Sequence, residues 1–136
     1  MLVYAANEDA PEHSFALRCL AEALEGQETV GFAWLTILGF LRVATHRRVL
    51  PNPFSVEEAH AAIAVWLTPS HTVLVEPSPR HLSLLRGLLA GVGTAGNLVP
   101  DAHLAALALE YDATVVSFDR DFGRFEGVRW RLPSRE

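Results

Sequence analysis

Residues 101–122, DAHLAALALEYDATVVSFDRDF, decide the fold class of this chain, because a predicted helix, a predicted strand and a short acidic turn follow one another there. The segment Asp101–Tyr111 repeats its apolar residues at helical spacing and gathers them on one face (Leu104, Leu107, Ala108 and Tyr111). The segment Thr114–Phe118 is short, apolar and rich in β-branched residues, which favours a strand. A helix that leads directly into a strand is typical of a parallel α/β sheet.

The same alternation of helices and strands extends through the rest of the chain. Helices are predicted over Asp9–Glu25, Leu35–Thr45, Ser55–Leu67 and Arg80–Ala90, and strands over Thr29–Trp34, Thr72–Val75 and Val128–Arg131. Ser55 and Glu58 have the spacing of a capping box, which marks a helix start. No linker or repeat interrupts the pattern, so we predict one α/β domain over residues 1–136, with a parallel sheet covered by helices on both faces.

The composition excludes several classes of protein. Half of the 136 residues are apolar and 20% are charged, as in ordinary globular domains, and the net charge of −5 argues against a broad basic surface that wraps nucleic acid. Cys19 is the only cysteine, which excludes an internal disulfide or a cysteine-based zinc site, and its apolar surroundings predict burial. The apolar run Val30–Leu41 is shorter than the roughly 20 residues of a membrane span. The early acidic residues Glu8 and Asp9 argue against a secretory signal, so we expect a cytoplasmic protein.

Three aspartates in the C-terminal half are the sharpest chemical signal. Asp101 opens a predicted helix, and Asp119 and Asp121 follow a predicted strand. If the strands meet at one sheet edge, these carboxylates converge there and raise one another's pKa unless a cation lies between them. Mg²⁺ or Mn²⁺ suits such a set of oxygen ligands. The residues alone leave an alternative open, in which Asp101 is a helix cap and Asp119 and Asp121 are ordinary turn residues.

Two other patterns carry less weight. The loop Gly91–Gly96 matches G-x-G-x-x-G, but a dinucleotide site needs a strand before this motif, whereas a helix is predicted there. We therefore interpret the loop as a glycine-rich segment after a helix. The six histidines are scattered without a convincing metal-ligand spacing, so we predict surface or packing roles for them.

Several motifs together resemble the PIN domain of VapC-type toxins. They are Asn97–Ala108 (NLVPDAHLAALA), Val116–Phe122 (VSFDRDF), and Gly39–His46 (GFLRVATH) with Pro51–Pro53. The segment Leu2–Ala5 is similar to the stretch that follows the family's first acidic residue. The likeness runs nearly from end to end, and the two C-terminal motifs are specific when they occur together.

This resemblance implies a PIN-like three-layer fold and a small ribonuclease that depends on Mg²⁺ or Mn²⁺. It further implies a VapB-type antitoxin as partner and a homodimer. By position, Asp101 and Asp119 match metal-binding acids, Asp121 matches a more peripheral acid, and Ser117 matches a hydroxyl that supports the site.

The chain departs from the family pattern at two places. The family's first aspartate belongs to a first strand that would lie upstream of Met1, and Gly39 stands where a glutamate is usual. Loss of a central strand would leave a row of backbone groups unpaired. We therefore expect the true start to lie upstream, and a truncated protein with a weakened site is the alternative.

We predict a metal-dependent endoribonuclease toxin that uses Asp101 and Asp119, assisted by Asp121. All 11 basic residues are arginine, and Arg42, Arg47 and Arg48 are candidate contacts to RNA phosphates. The alternative is a PIN-fold protein that binds an antitoxin or RNA without efficient cleavage. A more distant alternative is a nucleotide-binding α/β protein that uses the glycine loop.

Overall fold

The structure, a computed structural model, describes residues 13–50, 52–93 and 96–133. These residues form two compact groups, 13–75 and 76–133, each of which is described by itself. The predictions for Leu2–Ala5 and for the helix start at Asp9 lie outside the described residues.

The first group contains a pair of parallel strands and three helices. The elements are α1 (His13–Glu25), β1 (Val30–Ala33), α2 (Trp34–Ala44), α3 (Val56–Leu67) and β2 (Thr72–Val75). The strands pair in parallel, with Val30 opposite Thr72 and Ala33 opposite Val75. A parallel pair needs a long crossover connection, which α2 and α3 supply.

An aromatic cluster lies at the centre of the first group. The Phe40 side chain is 1% exposed, and its ring centre lies 4.8 Å from that of Trp66 and 6.4 Å from that of Phe54. Both pairs meet edge to face, as the charge distribution of aromatic rings favours. Cys19 is buried, as predicted.

The second group also contains two parallel strands, but they are very short. Its elements are α4 (His81–Val92), a 3-10 turn (Gly96–Leu98), α5 (Val99–Glu110), β3 (Val115–Val116), a 3-10 helix (Arg120–Arg124) and β4 (Trp130–Arg131). Val115 lies opposite Trp130 and Val116 opposite Arg131. The parallel pairs in both groups confirm the prediction of an α/β fold with parallel strands.

The core of the second group is built around the small residues of α5. Ala102, Ala105 and Ala106 are fully buried and pack with larger apolar residues (Leu88, Leu98, Phe122 and Phe125). Alanine side chains let the neighbouring elements of this group approach α5 closely.

The predicted bounds of several elements need correction. Helix α5 begins at Val99 rather than Asp101, because Pro100 fits the first helical turn, where its missing N–H is not needed. Strands β3 and β4 are shorter than predicted. Gly93 ends α4 with a left-handed φ of +78°, and the helix before it excludes the strand that a dinucleotide motif requires. Among the described helices, none is long and apolar enough to cross a membrane.

Candidate metal centre

The structure brings Asp101, Asp119 and Asp121 together. Each of the three contributes an oxygen, and these three oxygens lie within 4.8 Å of one another. Asp101 is half-buried, and the Asp121 side chain is 49% exposed. The three carboxylates therefore form an acidic cluster that is open to solvent on one side.

Asp101 is positioned by the buried start of α5. It lies in the first turn, next to the fully buried Ala102 and close to the buried Leu98. Leu98 occupies the N-cap position and provides no side-chain cap. Asp101 is thus not the N-cap residue, which was one of the two roles that the sequence left open.

Asp119 is fixed by hydrogen bonds on both sides of its backbone turn. Its backbone N–H donates to the Ser117 Oγ at 3.0 Å, and its Oδ1 accepts from the Asp121 backbone N–H at 2.9 Å. Asp119 therefore caps the 3-10 helix Arg120–Arg124 with one carboxylate oxygen. Since a carboxylate has two oxygens, it can cap this helix and still offer a ligand.

Ser117 supports this turn through its backbone as well as its hydroxyl. Its N–H donates to the Arg131 carbonyl at 3.1 Å, and its carbonyl accepts from the Trp130 indole N–H at 3.2 Å. Strand β4 thus holds Ser117, which in turn holds Asp119. A supporting role of Ser117 in the site stays a prediction.

Burial and neighbouring negative charge raise the pKa of Asp101 to about 6. Burial is the largest cause, followed by the charge of Asp119, a hydrogen bond with Asp119 and the charge of Asp121. A divalent cation among the three oxygens would remove the repulsion between the carboxylates. The oxygen-only ligand set and the open side fit a hard cation that keeps part of its water shell.

The arginines named from the sequence lie in the first group. Arg42 is in the last turn of α2, and Arg47 and Arg48 are exposed in the segment that follows. The Arg48 backbone N–H donates to the His46 Nδ1 at 3.1 Å. RNA contact by these arginines stays a prediction.

Sequence reasoning missed a polar network between α4 and α5. His81 is buried, its Nδ1 lies 2.9 Å from the Glu110 Oε2, and its Nε2 lies 2.8 Å from the His103 Nδ1. Glu110 also accepts hydrogen bonds from the backbone N–H and the hydroxyl of Ser78. No local signal reveals this network, because 29 residues separate His81 from Glu110.

Comparison with known proteins gives a consistent result over nearly the whole chain. The family model of the PIN domain matches residues 1–128. The chain belongs to the PIN-domain family. This PIN-domain chain is 50% identical over 133 residues to Ribonuclease VapC37 of Mycobacterium tuberculosis. The aligned residues cover 98% of this chain and 92% of that protein. It is 38% identical over 136 residues to Ribonuclease VapC33 of the same species, covering 100% of the chain and 95% of that protein.

Two solved structures share the fold of this PIN-domain chain. VapBC2 from Rickettsia felis, bound to a DNA fragment from their promoter, matches with a TM-score of 0.66 and 18% identity, over 97% of this chain and 92% of that one. VapBC-1 from nontypeable Haemophilus influenzae matches with a TM-score of 0.62 and 17% identity, over 96% and 91%. The comparisons confirm the predicted family and fold, and they support the predicted endoribonuclease of the VapC type.

Proposed function

We propose that this PIN-domain chain is the endoribonuclease toxin of a toxin–antitoxin pair and that it hydrolyses RNA phosphodiesters at the acidic cluster. One observation carries the proposal: three carboxylate oxygens lie within 4.8 Å of one another, on residues that the sequence had selected. The identity of 50% to a ribonuclease over nearly the full length supports it.

Each aspartate of the cluster has a different proposed role in binding a cation. Asp101 is half-buried, and a bound cation favours its ionised form. Asp119 is held by its cap and is exposed, and the Asp121 side chain is 49% exposed, so a substrate phosphate can approach both from solvent. When bound there, Mg²⁺ or Mn²⁺ supplies Lewis-acid chemistry, since it activates water and stabilises charge at the phosphate.

The proposed partners follow from the relatives. Both structural neighbours are VapBC assemblies, which supports a VapB-type antitoxin as the partner of this chain. RNA is the proposed substrate, since the relatives are named as ribonucleases. We further propose a homodimer in the cytoplasm and a single domain over residues 1–136.

One observation favours a second candidate function. Gly39 lies in α2 at the position where the family usually has a glutamate, so this chain has no carboxylate there. With fewer acids, the protein would bind its antitoxin or RNA but cleave RNA poorly. Measured cleavage decides between the two candidates.

The deciding experiment compares RNA cleavage by the wild-type chain, Asp119→Asn and Asp112→Asn with Mn²⁺ present. We expect Asp119→Asn to lower the rate at least about 10-fold, because loss of a ligand should cost no less than loss of a residue that orients one. Asp112→Asn is the matched control, since Asp112 is 93% exposed at its side chain and has a left-handed φ of 51° that asparagine tolerates. Equal cleavage by the wild type and Asp119→Asn would contradict the proposed site. Absence of cleavage in all three would favour the second candidate.

A further inference from the structure

We propose that Arg124 binds the RNA phosphate at the acidic cluster. This inference rests on the proposed function and extends it to a residue that sequence reasoning did not select. The geometry of the 3-10 helix Arg120–Arg124 carries it.

The guanidinium of Arg124 lies beside the cluster without being held by it. Its Nη1 is 3.8 Å from the Asp121 Oδ1, which is within ion-pair range but too long for a hydrogen bond. The Arg124 side chain is 50% exposed. Within the described residues the guanidinium has no hydrogen bond, so its N–H donors remain available to a substrate.

The backbone that carries Arg124 is anchored on both sides. Phe122 is 2% exposed and Phe125 is 3% exposed, and their ring centres are 6.3 Å apart. Asp119 caps the start of the same 3-10 helix. A long, partly free side chain on a fixed backbone can reach a phosphate without an ordering cost for the loop.

Charge balance explains why a positively charged side chain is needed beside the acidic cluster in addition to the metal ion. Three ionised carboxylates carry −3, a divalent ion adds +2, and the remainder of −1 repels an RNA phosphate. Arg124 brings this sum to zero at the open side of the cluster. Its planar guanidinium can also grip two phosphate oxygens at once, which a lysine cannot do.

The competing explanation is that Arg124 only steadies Asp121. Residues three apart on a helix often form such pairs, and exposed pairs of this kind contribute little to stability. The two roles predict different responses of metal binding and of RNA binding. Both can be measured without cleavage.

The test compares the wild-type chain with Arg124→Gln, Arg124→Lys and Arg86→Gln. Arg86→Gln removes the same charge from an exposed position on α4, outside the cluster. Binding of a fluorescent single-stranded RNA is measured by anisotropy at several salt concentrations, with a constant concentration of Ca²⁺, which also takes oxygen ligands, in place of Mn²⁺ so that the charge balance at the cluster is kept. Each phosphate contact adds about 0.7 to the slope of log affinity against log salt for single strands.

We expect Arg124→Gln to lower this slope by about 0.7, while Arg86→Gln leaves it unchanged. Arg124→Lys should keep the slope, since it keeps the charge, and should still cleave more slowly than the wild type because it lacks the planar fork. Mn²⁺ affinity, measured by calorimetry without RNA, should be equal or higher in Arg124→Gln, because a positive charge beside the cluster has been removed.

Two results would overturn the inference alone. One is an unchanged slope in Arg124→Gln, and the other is a loss of Mn²⁺ affinity, which would show that Arg124 positions Asp121. A wild-type chain that neither binds nor cleaves RNA would overturn the proposed function as well.

Discussion

Asp101 shows how a carboxylate in the proposed metal site lowers stability. Its pKa is raised to about 6 in the folded chain, first by burial and then by Asp119 and Asp121. An acid with a raised folded pKa is more easily ionised in the unfolded chain than in the folded one. Without metal, Asp101 therefore opposes folding at every pH at which its carboxyl group is ionised in the unfolded chain.

The sign of this effect predicts a pH dependence. The contribution of Asp101 to the free energy of unfolding is fully present below the ordinary pKa of 3.8 and is lost as pH rises through about 6. At pH 7 and without metal, Asp101→Asn should be more stable than the wild type by about 1 kcal/mol, after allowance for solvent screening of a half-exposed group. Urea denaturation at pH 4, 5, 6 and 7 in EDTA measures this. A wild-type advantage at pH 7 would contradict the assigned cause.

At the scale of elements, Glu110 ties the segment before α4 to the end of α5. Its side chain is 7% exposed and accepts hydrogen bonds from Ser78 and His81. Burial alone would raise the pKa of Glu110, but these hydrogen bonds and the charge of His81 hold the pKa below its usual value. Stability from this group is therefore present above the usual carboxyl pKa and lost as pH falls through the lowered one, opposite in sign to Asp101.

Removal of the Glu110 side chain should destabilise the fold. We expect Glu110→Ala to lower the free energy of unfolding by about 2 kcal/mol at pH 7, because it leaves polar groups of Ser78 and His81 without their acceptor. Glu126→Ala removes an exposed acid from the same group of residues and should change it by less than about 0.5 kcal/mol. Equal effects of the two variants in urea denaturation would show that the hydrogen bonds of Glu110 do not contribute to the free energy of unfolding.

Local signals account for the elements that the sequence predicted well. Strand β2 spans Thr72–Val75 as predicted, and both hydrogen bonds of the Ser55–Glu58 capping box are present at 3.0 Å. Predictions of which helix face is buried were less accurate. Tyr111 is 49% exposed, although it was predicted to share an apolar face with Leu107 and Ala108, which are buried. Helical spacing shows which residues share a face, but it does not show what covers that face.

Some residues in and around the candidate site could be predicted from local sequence signals, and others could not. The three aspartates could be found because they lie next to recognisable helix and strand boundaries and match a family motif. Arg124 is three residues from Asp121. This spacing indicates that the two side chains are neighbours only if the segment is a 3-10 helix, which the sequence did not predict. The network of Glu110 and His81 depends on tertiary packing, which a single sequence does not reveal.

At the scale of the whole molecule, the prediction of one domain can be tested by unfolding. The two units to which these groups belong have only 78 and 58 residues, and a separate core is marginal at the smaller of these sizes. We therefore expect residues 13–75 and 76–133 to unfold together in one cooperative transition. Tryptophans report on both groups, with Trp34 and Trp66 in the first and Trp130 in the second.

The measurement uses two variants. Trp130→Phe leaves fluorescence from the first group only, and the double variant Trp34→Phe, Trp66→Phe leaves it from the second. In each variant, fluorescence and far-ultraviolet circular dichroism should change at the same urea concentration. Two separate midpoints in one variant would mean that the groups fold independently.

The cap that Asp119 provides also shapes how this chain can lose its activity by mutation. Asparagine caps a helix start about as well as aspartate, so Asp119→Asn should keep the hydrogen bond to the Asp121 N–H while removing a negative charge from the proposed metal site. The codons of the two amino acids differ by one base. Cells that escape a toxic enzyme through this change would therefore keep a full-length, folded protein, which could still occupy an antitoxin.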